Sequence, residues 1–169
     1  MNDRFTNVIK KAIPLVILGI LVIFYFRLQN INSNDYRDLT DEEVVFVIEE
    51  DGYYYDYENV ILYLDTYGRL PNNYITKSKA KKLGWEGGSV EDFYPGGAIG
   101  GGRFGNNEGI LPDDDGIEYF ECDIDTEGKS SRGAKRVVYS NEPKYYYTTN
   151  HYETFERYEV VDGRVIKVD

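Results

Sequence analysis

The 169-residue chain has a single cysteine, Cys122, and a single histidine, His151. One cysteine excludes an internal disulfide and any cysteine-based zinc site, and leaves Cys122 as a core-packing residue. One histidine excludes multi-histidine metal centres, so only oxygen-ligand metals stay open. The acidic run at 113–115 lacks the alternate spacing of a calcium loop and reads as a polar turn. Basic residues are scarce too, 19 Lys and Arg against 30 Asp and Glu. The first 27 residues hold four of those bases and one of those acids, so the remainder carries 15 against 29, a net charge of −14. Such a surface repels polyanions at long range, and an anionic polymer could bind only through a local basic patch. No repeat or low-complexity tract is present, and the tyrosine clusters at 53–55 and 145–147 read mostly as packing residues.

The one long apolar run, residues 12–26 (AIPLVILGILVIFYF), lies between Lys10-Lys11 and Arg27. At 1.5 Å per residue it rises about 22 Å, short for a full membrane span. It fits the apolar region of a secretory signal, but no small-x-small cleavage site follows it. We read residues 1–27 as an uncleaved signal anchor, with a cleaved signal peptide as the alternative. The two lysines before the run put the N-terminus in the cytoplasm and the rest of the chain outside, secreted or held at the outer face of the cell membrane. A buried core helix is disfavoured because the run has no polar face. Residues 28–49 then read as a stalk, 50–160 as one domain and 161–169 as a C-terminal extension.

Within the domain, helix signals come first. Asp56 can cap a helix running to about Tyr67, with Val60, Ile61, Leu64 and Tyr67 as its buried stripe and Gly68 and Pro71 ending it. Thr76 can cap a shorter helix over 77–83, closed by Gly84, and Ser89 with Asp92 suggests a capped turn before Pro95. Strand patterns follow at 98–104, 118–124, 134–140, 144–149 and 154–159. Helices followed by strands argue for an α+β fold, with N-terminal helices packed on one face of an antiparallel five-stranded sheet.

Eight of the 15 basic residues beyond position 27 fall in two acid-free runs, KSKAKK at 77–82 and KSSRGAKR at 129–136. That segregation points to an anionic ligand. Lys77 would sit at the first helical position, where the macrodipole disfavours a cation and a phosphate would resolve the conflict. Lys79, Lys81 and Lys82 fit a solvated helix face as well as they fit a ligand site. Alternation puts Tyr119, Glu121 and Asp123 on one strand face and Phe120, Cys122 and Ile124 on the other, toward the core. Arg136 shares a face with Ala134 and Val138, so a carboxylate and a guanidinium on neighbouring strands could meet, as a functional pair or as a plain cross-strand ion pair.

Four motifs run in one order over about 110 residues: RLPNNYITKSKAKKLGW at 69–85, PGGAIGG at 95–101, NNEGILP at 106–112 and YTTNHYETF at 147–155. Together they resemble the barnase-like secreted ribonucleases of the microbial guanyl-specific group. That resemblance implies an α+β fold with the active site on the concave face of the sheet. It implies cofactor-free and metal-independent cleavage of single-stranded RNA, with a 2′,3′-cyclic phosphate as intermediate. By motif, Glu121 is the general base and His151 the general acid. Arg132, Arg136 and Lys77 match the phosphate-binding cations, and Asp123 matches a buried aspartate that orients the arginines. Phe104, Asn106, Asn107 and Glu108 occupy the base-recognition loop, where Glu108 would accept from guanine N1–H and N2–H₂. Tyr152 either contacts a base or ribose or simply packs.

The sequence departs from the family pattern at Asn107, where an arginine is usual, and Arg103 is a candidate to compensate. Two residues are missing between Trp85 and Pro95 and one is added near 127–131; loops are expected to absorb these changes and the C-terminal extension. The resemblance further implies a monomer and admits a small acidic barstar-like protein inhibitor. The alternative function is a membrane-anchored, non-catalytic RNA- or anion-binding module that keeps the fold. A toxin domain delivered to neighbouring cells would have the same chemistry and need a cognate inhibitor.

Overall fold

A computed structural model describes residues 47–168. The segment expected to be an anchor and most of the expected stalk lie outside the described residues.

Helix α1, Tyr57–Tyr67, begins where Asp56 accepts from the Asn59 backbone N–H at 2.9 Å. It ends at Gly68, whose left-handed φ of 64° lets its N–H donate to the Leu64 carbonyl. The short helix α2, Lys77–Lys82, starts at Thr76, whose hydroxyl accepts from the Lys79 N–H at 3.2 Å. Both starts are those expected from the caps. Ser89 accepts from the Glu91 N–H in a non-helical turn, so the expected third cap serves a turn only.

Seven strands follow one another across a single sheet, not five. These are β1 (Tyr74–Ile75), β2 (Ala98–Phe104), β3 (Tyr119–Asp123), β4 (Arg136–Ser140), β5 (Tyr145–Thr148), β6 (Glu156–Val161) and β7 (Arg164–Val168). Strands β2 to β6 are the five expected, each antiparallel to the next. The two additions have separate causes. Residues 74 and 75 pair in parallel with Ala98 and Ile99, a contact too short to leave a sequence pattern. β7 pairs with β6 through a two-residue turn, Asp162-Gly163, both at positive φ (51° and 72°). Asp-Gly between strand-forming runs is a strong hairpin signal, so the C-terminal extension is sheet and not loop.

The sheet buries residues on both faces. On the helix side, Val60, Ile61 and Leu64 of α1 pack on Cys122, Ile124, Val137, Tyr145, Tyr147 and Tyr158. Each such aliphatic side chain contributes about 1.5–3 kcal/mol by leaving water. Leu62 and Tyr63 are buried as well, against Ile48, while Tyr67 is only partly so; the expected single stripe is therefore too narrow. The reason is non-local: Tyr63 and Tyr67 donate their hydroxyls to the Glu50 and Ile48 carbonyls, which holds the lead-in chain over the helix. Ile48 on one side and Val165 on the other thus belong to the packed body rather than to a stalk and a tail. On the opposite face, Leu111, Tyr119, Val138 and Tyr146 form a second apolar layer with Phe104, Tyr152 and Phe155.

A bulge at Gly101 (φ 77°) shifts the β2–β3 register so that Gly102, not Gly101, lies across from Glu121. Neighbouring Gly100 leaves no room for a side chain, since a Cβ there would stand 2.8 Å from the Cys122 Cβ and 2.7 Å from the Tyr74 ring.

Candidate active site

Register brings Glu121, Asp123 and Arg136 of the expected residues together. Glu121 lies across from Val138, and Asp123 across from Arg136, which itself lies across from Thr148. Glu121, Asp123, Arg136 and Thr148 therefore share the face that Phe104 and Tyr119 also occupy.

Glu121 is the centre of the arrangement. Lys77 donates from Nζ to Oε1 at 2.7 Å, and Tyr152 donates its hydroxyl to Oε2. Burial works to raise the Glu121 carboxyl, but the hydrogen bonds from Lys77 and Tyr152 and the charges of Lys77 and Arg132 outweigh it and leave it below its ordinary value. Burial and the hydrogen bond to Glu121 push the Tyr152 phenol up, so it stays a donor.

Asp123 organises the second half. Arg132 grips it with Nε and Nη2 at 2.6 and 2.7 Å, and Arg136 Nε lies 2.9 Å from Oδ1. The side chains of Asp123 and Arg136 are 1% and 3% exposed, so the ion pair expected between neighbouring strands exists and is buried, not superficial. Burial leaves the Asp123 carboxyl above its ordinary value, against the opposing pull of both guanidiniums. Arg136 Nη1 also donates to the Arg132 and Lys135 carbonyls. Arg132 is more open, with its guanidinium 5.9 Å from the centre of the Trp85 ring.

His151 and Tyr152 are consecutive non-glycine residues at positive φ, 57° and 75°. Such backbone costs about 1–3 kcal/mol per residue and persists only where the surroundings enforce it. Here Thr148 Oγ1 accepts from the Tyr152 N–H at 3.2 Å, Asn150 Oδ1 accepts from the Thr154 N–H at 3.0 Å, and the His151 N–H reaches the Ala134 carbonyl. The clasp turns the Tyr152 hydroxyl onto Glu121 and leaves the His151 imidazole exposed beside the Tyr152 ring, 4.7 Å between centroids. Thr148, Asn150 and Trp85 were not singled out from sequence. Extending the face alternation through β5 would have placed Thr148 beside Arg136.

The loop at 105–112 is built differently from the cluster around Glu121 and Asp123. Phe104 packs its ring against Tyr152 and Phe155. The Asn106 carboxamide is used within the loop, donating to the Leu111 carbonyl and accepting from the Leu111 N–H. It thus shapes the loop, while Asn107 and Glu108 are exposed. Arg103 lies across from Phe120, on the face away from Glu121, and pairs with Glu118 at 3.1 Å. It cannot stand in for the cation absent at Asn107.

This face carries a carboxylate held ionised, three neighbouring cations and an exposed imidazole, the components of acid–base chemistry on an anionic substrate. Comparison with known proteins agrees with that class. A family model described as ribonuclease matches residues 62–159. The ribonuclease of Heyndrickxia coagulans is 46% identical over 103 residues, which cover 60% of this chain and 94% of that protein. The ribonuclease of Bacillus intermedius is also 46% identical over 103 residues, covering 63% of its own length. The guanyl-specific ribonuclease St of Saccharopolyspora erythraea is 44% identical over 52 residues, 31% of this chain and 52% of that one. The chain belongs to the ribonuclease family.

Proposed function

We propose that this protein is an endoribonuclease that cleaves single-stranded RNA without a metal, with preference for the bond after guanosine. The observation that carries the reading is the pairing of Glu121 with Lys77 and Tyr152 beside the Arg132–Asp123–Arg136 cluster. Glu121 takes the proton of the ribose 2′-hydroxyl, and that oxygen attacks phosphorus. Lys77, Arg132 and Arg136 offset the charge that develops on the phosphorane oxygens, the role a metal ion plays elsewhere. His151 gives a proton to the departing 5′-oxygen, and a 2′,3′-cyclic phosphate results. Hydrolysis of the cyclic ester reverses the two roles, with His151 taking a proton from water and Glu121 returning one to the 2′-oxygen. DNA has no 2′-hydroxyl and is not a substrate.

Guanine preference rests on Glu108, exposed at the loop tip and free to accept from guanine N1–H and N2–H₂. The apolar run at 12–26 supports action outside the membrane, on an anchored or exported domain. Among the described residues no helix is long and apolar enough to cross a membrane.

The test is to incubate the purified chain with single-stranded RNA in excess EDTA, beside Glu121→Ala and His151→Ala. Cuts after guanosine with cyclic phosphate ends, lost in both variants, are expected. RNA bound without cleavage would replace the enzyme by a non-catalytic binding module.

A further inference from the structure

The four lysines of α2 are not equivalent. The Lys79 ammonium lies over the Tyr94 ring, 5.3 Å from its centre. Lys77, Lys81 and Lys82, with Ser78, instead line an open cavity of about 500 Å³ to which no carboxylate contributes. Ala80 fixes this orientation, because it is fully buried with Ile75, Trp85, Val90 and Ile99 and turns the lysine face outward. Lys77 and Lys81 stand one turn apart, where like charges oppose each other by about 0.2–0.5 kcal/mol. The helix has no acid of its own, and neither Lys81 nor Lys82 forms an ion pair among the described residues. A chain that is net −14 beyond residue 27 thus keeps unneutralised cations at one cavity. The loop at 105–112 has no lysine or arginine at all.

Lys77 belongs to both places, since its ammonium touches Glu121 while its side chain lines the cavity. The four-residue step from Lys77 to Lys81 rises about 6 Å along the helix, on the order of one nucleotide's backbone repeat. We propose that Lys81 and Lys82, with Ser78, form a second phosphate site that holds a phosphodiester of the RNA neighbouring the scissile one. The site rests on the ribonuclease reading and makes the enzyme favour long strands over dinucleotides. Its cations replace, on α2, the positive charge that the base-recognition loop lacks.

The experiment compares the full chain with its Lys81→Gln/Lys82→Gln double variant on two substrates. One is a guanylyl dinucleoside monophosphate, with a single phosphate; the other is a single-stranded oligoribonucleotide of about twelve nucleotides with one central guanosine. Cleavage of the dinucleotide is expected to be unchanged, while KM for the oligonucleotide rises roughly tenfold at low salt with kcat unchanged. The log–log dependence of kcat/KM on salt for the oligonucleotide becomes shallower by about 0.7, the loss of one phosphate contact. The Lys81→Arg/Lys82→Arg variant restores both. Equal KM and salt slope in wild type and double variant would overturn the site, as would an equal loss on both substrates. Failure of the wild type to cleave either RNA would instead sink the ribonuclease reading, and this proposal with it.

Discussion

Tyr152 and Glu121 are 31 positions apart in the chain, and the hydroxyl of the first donates to Oε2 of the second. That hydrogen bond makes Tyr152 a positioning residue for the proposed base and ties the histidine turn to the central strand. Tyr152→Phe keeps the ring packing on Phe104 and removes only the donor. Burial then raises the Glu121 carboxyl with less opposition. The acid limb of the pH–rate profile therefore moves to higher pH, and kcat/KM near pH 5 falls roughly three- to tenfold while the alkaline limb stays in place. An acid limb that does not move would separate Tyr152 from the base.

Glu121→Gln is expected to lower kcat by roughly 10² to 10⁴. Because the folded-state pKa of Glu121 is depressed, its ionisation supports the fold above the unfolded-state value, and that support is lost as pH falls through the folded value. Urea titrations of wild type and variant at pH 7 and pH 3 check the sign. The stability difference in favour of the wild type should be larger at pH 7.

Asp123→Ala removes the one carboxylate between two guanidiniums and strands that of Arg136 in a buried site. A loss of about 3–5 kcal/mol follows from leaving a buried charge uncompensated. Arg132→Ala, at the more open partner, should cost less. Urea midpoints of the two variants measure the contrast, and equal midpoints would contradict it.

Strand β7 lies beyond the residues that match the family model, yet its Val165 packs with Val160 of β6 against Leu62, Tyr63 and Ile48. Truncation after Val161 uncovers that cluster and should lower stability by about 2–4 kcal/mol, read from the thermal midpoint. Gly163→Val puts a branched side chain at φ 72° and should cost less, through the turn alone.

What the sequence made legible was the chemistry that acts locally. Asp56, Thr76 and Gly68 announce both helices because a cap is a contact of a side chain or a left-handed residue with backbone three or four positions away. Alternation placed Glu121 and Asp123 on one face, since the strand period is two. Burial of Tyr63 was not legible, because its cover comes from Ile48 and Glu50 by a path no periodicity records. Nor was the hydroxyl of Tyr152, whose direction depends on two left-handed residues enforced by Thr148 and Asn150. Asn106 carries the motif, but only the fold reveals that its carboxamide is spent on Leu111. The Asp162-Gly163 hairpin is a local signal, two turn residues between strand-forming runs, but it lies past the last of the four motifs and so outside the pattern that defines the domain.

Asn107 is the departure with the clearest consequence for activity. It is exposed in a loop without a cation, next to Glu108, and Arg103 is turned to the other face of the sheet against Glu118. Asn107→Arg adds one exposed cation where an RNA phosphate and a guanine edge would pass. Its fold cost should be within about 0.5 kcal/mol, as for surface changes generally. Activity on single-stranded RNA should rise roughly three- to tenfold through KM, and the salt dependence of kcat/KM should steepen by up to about 0.7. If the new arginine also stacks on the base, cleavage after guanosine increases relative to other bases. A rise in KM-linked activity without a steeper salt dependence would mean that the gain came from loop conformation and not from charge.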